Sequence, residues 1–332
     1  MENPMFNKNI ISKALLVSAV ILPFSNVASA AVTLKLAYAE NSQPVKDALQ
    51  YIGKAVAEKT NGEVKIQYFP DAQLGGEREL VEMTQVGVVD ITKVSSGLME
   101  SFAPVYGVFS LPYLFTNQEQ FYKVMSDKDV MDPVYNSTAS MGFTGVGWYD
   151  SGARSFYMSK GPINTIADLK GKKIRVMQSE TSIKTMQLLG ASPIAMSQSE
   201  VYTSLQQGII DGAENNEFAM TIARHGEVAK YYSYDEHTRI PDIILMSNST
   251  KNKLTPEQFK VLNEAIQESM VMEQEAWKAE MDKTRELAKI EFGVKFNTVD
   301  HGPFQKAVQP IYDDLKKKPE LYSLYQKIIN IK

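Results

Sequence analysis

Strand-like and helix-like segments alternate from about residue 33 to the end of the chain, and that alternation predicts an α/β protein. Two further observations sharpen the reading. The 332 residues exceed the size at which one hydrophobic core divides, so more than one core is expected. There is no cysteine, so no disulfide can reinforce a small core, and the cores must hold by burial alone.

Taken in order, residues 33–37 read as a first strand. A helix follows from near Pro44, with Asn41 or Ser42 as its cap. Val45, Leu49, Ile52 and Val56 recur at helical spacing, and Gly62 follows the end. Val64, Ile66 and Tyr68 alternate as a second strand closed by Pro70, 77–86 is a short helix, and 88–94 is a third strand. Such a β-α-β-α-β start favours right-handed parallel crossovers. Residues 101–116 are aromatic and hold two prolines, which reads as a packed connection. Helices are expected over 117–126 and 130–140, a strand over 143–149, a helix over 181–189 and a short strand over 194–196. Ser197 and Glu200 have capping-box spacing ahead of another helix. A helix through Ala223, a strand through Tyr234 and an apolar strand over 243–246 come next. Thr255-Pro256-Glu257-Gln258 carries a cap, a proline at the first helical position and a glutamine three residues after the cap. The helix it starts runs to about Ile290, long enough to lie across two lobes. A strand over 294–296 and helices over 303–317 and 319–329 finish the chain.

Residues 1–30 read as a secretory signal peptide. Lys8 and Lys13 form a basic region, 14–24 is an apolar run too short to span a bilayer, and Ala28-Ser29-Ala30 is an A-x-A cleavage site. Cleavage after Ala30 and residence in the periplasm are expected. No cysteine follows the apolar run, which excludes a lipid anchor. The balance of 35 basic to 39 acidic residues argues against a nucleic-acid or anionic-membrane partner.

Catalytic and cofactor motifs are missing. His225, His237 and His301 have no metal-binding spacing, and neither a nucleophile elbow nor a phosphate loop occurs. No metal and no cofactor is expected, and a binding protein is favoured over an enzyme. What stands out instead is the stretch 152–178. Arg154 precedes Phe156 and Tyr157, and Arg175 lies among Ile174, Val176 and Met177. Arginine in strand-like, apolar surroundings needs a counter-charge. Each guanidinium therefore pairs with a protein carboxylate elsewhere in the chain or awaits an external anion, for which its fork fits a carboxylate. Spacing alone leaves both open.

An ordered set of motifs decides more. Tyr68-Phe69-Pro70, Gln73-Leu74-Gly75, Leu111-Pro112-Tyr113-Leu114-Phe115, Pro162 through Arg175, Leu189-Gly190-Ala191-Ser192-Pro193, Ser199-Glu200-Val201-Tyr202, Leu205-Gln206 and Asp211 through Asn216 occur in sequence. In this set the chain resembles the solute-binding subunits of tripartite ATP-independent periplasmic (TRAP) transporters, the dicarboxylate-binding-protein (DctP) type. The resemblance implies an α/β, two-lobed binding protein with a ligand cleft between the lobes and a long helix spanning both. Residues 31–151 and 241–280 would form lobe I, and 152–240 and 281–332 lobe II. It also implies a small carboxylate ligand, a membrane permease as partner and a monomer.

Arg175 stands at the position of the family's carboxylate anchor, with Arg154 and Asn215 matching its supports. Glu77, Lys93 and Ser95 would meet the ligand from the other lobe, with Gln198, His237 and Asp242 as further candidates for its hydroxyls. Ser95 replaces an acidic residue of the sialate binders. The pattern is nearest to the members that bind hexuronates such as glucuronate or galacturonate, although Glu217-Phe218 stands where many of those carry Trp-Pro. A C4-dicarboxylate or another sugar acid is the alternative ligand. The alternative class is a hydrolase or lyase for acidic sugars using His237 or Glu214.

Overall fold

The computed structural model describes residues 31–40 and 42–332. The signal-peptide segment and Asn41 lie outside the described residues. Two sheets organise the rest. The first contains β1 (Val32–Tyr38), β2 (Val64–Phe69), β3 (Ile91–Ser95) and β4 (Phe143–Tyr149), and takes β10 (Asp242–Ser247) from far along the chain. The second contains β5 (Ala153–Met158), β6 (Lys173–Val176), β7 (Ser192–Ala195), β8 (Gly212–Asn215), β9 (Tyr231–Arg239) and β11 (Lys295–Thr298). Their orders are β2-β1-β3-β10-β4 and β11-β9-β5-β8-β6-β7.

In the first sheet β1 runs parallel to β2 and β3, as the opening β-α-β-α-β pattern predicts, and β10 is antiparallel to both its neighbours. In the second, β6 is parallel to β7 and β8, while β5 is antiparallel to β8 and β9. The chain passes from the first sheet to the second between Tyr149 and Ala153. Gly152 takes φ +66 there, a left-handed conformation, and a Cβ would sit 3.2 Å from that of Asn216. It returns between Arg239 and Asp242.

Helix Gln43–Lys59 buries Val45, Ala48, Leu49, Ile52 and Val56, the heptad-like stripe of its sequence, against Leu34 and Leu36 of β1. Helix Pro256–Phe292 begins with the Thr255/Gln258 capping box and ends at Gly293 with φ +65. Its 37 residues span about 55 Å at 1.5 Å per residue. Leu262, Ala265 and Ile266 pack in the core of the first sheet, and Ala288 packs with Tyr157 and Val201 of the second.

Three elements differ from expectation. The helix expected through Ala223 covers only Phe218–Thr221, because Arg224 turns left-handed at φ +57. The strand expected to end at Tyr234 continues to Arg239. The helix expected over 303–317 divides into His301–Ala307 and Gln309–Leu315, the second opening with Pro310, whose missing N–H is harmless only in a first turn.

Candidate functional site

A cavity of about 480 Å³ lies between the sheets. The parallel strands of both sheets deliver residues to it from their carboxyl ends: Glu40 after β1, Asp71 after β2, Ser95 ending β3, Met177 and Gln178 after β6, Met196 and Gln198 after β7, and Asn215 ending β8. This is where open α/β sheets place ligands.

Arg154 and Arg175 both line the cavity and are 4% and 3% exposed. Their partners differ. The Arg154 fork closes on Glu214, with Nε donating to Oε2 at 2.6 Å and Nη2 to Oε1 at 3.1 Å. Its Nη2 also donates to the Glu214 carbonyl and its Nη1 to Asn215 Oδ1, each at 2.8 Å. Burial opposes the charge of both groups, but their attraction outweighs it. The Arg154 pKa is raised, and Glu214 is held at about 2 by Arg154 and His237.

Arg175 has only neutral acceptors among the described residues. Nε and Nη2 donate to the Met196 carbonyl at 3.1 and 2.9 Å, and Nη1 donates to Gln198 Oε1 at 3.0 Å. Burial lowers its pKa, the mark of a desolvated cation without a counter-ion. His225 also lines the cavity. Burial and then the Arg175 charge drive it down to about 3, so it is neutral, and its Nδ1 meets the Tyr157 hydroxyl at 2.7 Å.

The opposite wall belongs to the first sheet and is acidic. Lys93, 1% exposed on β3, donates to Glu40 at 2.5 Å and to Asp242 at 2.7 Å. Glu77 accepts from the Ser95 backbone N–H at 3.1 Å, and Ser95 Oγ lies 3.3 Å from Met177 Sδ. Burial raises the pKa of Glu77. It also raises Asp242 to about 7, where Lys93 opposes and the neighbouring carboxylates reinforce it. Arg78 bridges toward the second sheet, with Nε donating to Gln178 Oε1 at 2.7 Å and Nη2 to Ser101 at 2.9 Å.

Of the residues singled out from sequence, Arg175, Arg154, Asn215, Glu77, Lys93, Ser95, Gln198 and Asp242 come together at this cavity. His237 does not. It is 2% exposed and sits behind Arg154, with Nδ1 at 2.9 Å from Asp235 and Nε2 at 3.5 Å from Glu214. Two carboxylates and the stacked Phe156 ring occupy it, so a role as a ligand contact is corrected to one beneath the site. Its carboxylate neighbour is Asp235, not the adjacent Glu236. Glu214 is likewise 2% exposed and faces Arg154 rather than the cavity. Sequence reasoning missed Glu40, Asp71, Arg78, Gln178, Phe218 and His225. The first two follow directly on strand ends, a positional signal that was available.

Comparison with known proteins places this geometry. Residues 37–318 match the family described as bacterial extracellular solute-binding protein, family 7, or DctP.

The chain belongs to the DctP family.

A TRAP periplasmic solute-binding protein from Anaerococcus prevotii, solved with bound glucuronate, is 39% identical, with a TM-score of 0.88 over 90% of this chain and 98% of that one. One from Xanthobacter autotrophicus, solved with galacturonate, is 36% identical, with a TM-score of 0.85 over 90% and 100%. Among curated sequences, the uncharacterised YiiZ protein of Salmonella typhimurium is 71% identical over 295 residues, 89% of this chain and 90% of that one. This DctP chain is thus a two-lobed α/β solute-binding protein of a TRAP transporter, not an enzyme. It takes a small carboxylate ligand and works with membrane permease components. No helix of the described residues is long and apolar enough to cross a membrane.

Proposed function

We propose that this protein captures a hexuronate, glucuronate or galacturonate, and presents it to the permease in the periplasm. One observation carries the reading: Arg175 is buried at the cavity with every acceptor neutral, so a ligand carboxylate is the counter-ion it lacks. Arg154 supports it from the side, held in place by Glu214, and Asn215 and Gln198 complete the carboxylate end. The opposite wall of Glu40, Glu77, Lys93, Ser95 and Asp242 offers the mixed donors and acceptors that sugar hydroxyls need. Structures 29–39% identical to this chain hold glucuronate or galacturonate.

In this reading residues 31–151 and 241–280 form one lobe and 152–240 and 281–332 the other, and they close on the ligand as a hinge. The chain is cleaved after Ala30 and acts as a monomer. Titration calorimetry with glucuronate, galacturonate, succinate and sialate tests it. The hexuronates bind with the lowest Kd, and Arg175→Ala weakens them by about 100-fold. A hexuronate Kd no better than that of succinate, or tight binding that survives Arg175→Ala, sinks the reading, as does turnover of a bound sugar.

A further inference from the structure

The two walls of the cavity carry opposite electrostatic demands. The second-sheet wall presents Arg175 without a counter-ion and Arg154 neutralised by Glu214. The first-sheet wall presents five carboxylates, Glu40, Asp71, Glu77, Glu79 and Asp242, and two cations, Lys93 and Arg78. Lys93 is fully engaged between Glu40 and Asp242, and Arg78 is turned onto Gln178 and Ser101. Glu77 is held by a backbone N–H, with no cation in bonding contact among the described residues. Arg78 has only neutral acceptors among the described residues and is held away on Gln178 and Ser101, so a second carboxylate at this wall would face Glu40, Asp71, Glu77 and Glu79 with Arg78 as the one cation not already paired, whereas a hydroxyl could donate to any of these oxygens.

We propose, resting on the hexuronate reading, that this acidic wall makes the cavity a monoacid filter. It accepts the hydroxyl-bearing end of a sugar acid and repels any ligand with a second carboxylate at that end. The ligand class narrows to uronates and related sugar monoacids. Aldarates and short dicarboxylates are refused by charge, not by size. Glu40 and Glu77 are the specificity-determining pair, since each borders the space with oxygens that Lys93 does not fully neutralise. Like charges brought together at a binding surface reject wrong partners by several kcal/mol.

The experiment compares D-glucuronate with two of its derivatives by titration calorimetry on the full mature chain. L-gulonate is glucuronate reduced at C1 to an alcohol, and D-glucarate is glucuronate oxidised at C1 to a carboxylate. Both are open chains, so their difference isolates the second charge from ring shape. The wild type is expected to bind gulonate at least about 30-fold more tightly than glucarate. Glu77→Gln and Glu40→Gln are each expected to raise glucarate affinity at least about tenfold relative to glucuronate. Glu79→Gln, at the cavity edge, provides a third variant should either fail to fold. Glucarate within threefold of gulonate, or no gain for glucarate in any folded variant, overturns the filter and leaves the hexuronate reading intact. Failure of glucuronate itself to bind overturns the hexuronate reading, and the filter with it.

Discussion

Arg154 and Arg175 are equally buried at one cavity wall, yet they are opposites. Arg154 has a bidentate carboxylate from its own chain, while Arg175 has two neutral acceptors. One is a finished structural element and the other is an incomplete one. A buried ion pair contributes by its completeness, so breaking it strands a charge. A buried lone cation already carries that cost, and removing it relieves strain in the empty protein. Stability and binding should therefore separate between these two residues.

The largest effect is expected at Arg154. Arg154→Ala leaves Glu214 buried with only His237, at 3.5 Å, as a counter-charge and should cost about 3 kcal/mol of stability, read as a drop in the chemical-denaturation midpoint. An unchanged midpoint would mean that the pair is dispensable and that the contrast fails.

Next comes Arg175→Ala. Ligand affinity should fall by about 100-fold, because hydrogen bonds to a charged group contribute about 1.5–3 kcal/mol each. The melting temperature of the ligand-free variant should equal or exceed that of the wild type. A clear drop in that temperature would show that Arg175 has a structural partner.

A smaller, pH-dependent effect belongs to His237. Burial disfavours its charge, but Asp235 and Glu214 outweigh that and raise it to about 9. A raised folded pKa means that its contribution is complete below the ordinary histidine value of about 6.5 and disappears as pH rises through about 9. The melting-temperature gap between wild type and His237→Gln should be widest near pH 6 and close toward pH 9. A gap that is flat or widens with pH would contradict the protonated assignment.

The smallest effect is expected at Glu273 on the long helix. This carboxyl has no salt-bridge cation among the described residues. One oxygen accepts from the Asp150 backbone N–H at 2.9 Å, the other has no partner among the described residues, and burial holds its pKa well above the usual range. Burial thus favours its neutral form, so Glu273→Gln should change stability by no more than about 1 kcal/mol, in either direction. A large loss would show it to be ionised, like Glu214.

These four residues also mark what sequence can and cannot convey. Local signals translated well. The Thr255-Pro256 start, the Val45–Val56 stripe and the alternation in 64–68 became the elements they predict, because each depends on neighbours within a turn or a strand. The charge partners did not translate. Glu214 is 60 residues from Arg154, and Lys93 is 53 from Glu40 and 149 from Asp242. No spacing rule reaches that far. The paired and lone arginines were therefore indistinguishable until the sheets brought β5 beside β8. His237 looked available partly for the same reason: Glu214 reaches it only through the pairing of β5 with β8 and β9, whereas Asp235, two residues earlier on the same strand, was a local partner and was missed. The break at Val308 was missed because Pro310 reads equally well as the interior of a faulty helix and as the first turn of a new one.

The position of β10 has a consequence for how the molecule forms. It lies between β3 and β4, although the chain makes all of β5 through β9 before reaching it. Residues 32–149 therefore cannot close their sheet when they first become available. Among the described residues β4 has no neighbour in that sheet other than β10. Contacts this distant in sequence slow folding, because loop closure precedes any gain from pairing. Residues 32–149 lack the strand that joins β3 to β4. A fragment ending near residue 150 would expose the edges of β3 and β4 as templates for association, and the native first sheet is sealed only after residue 247 has arrived.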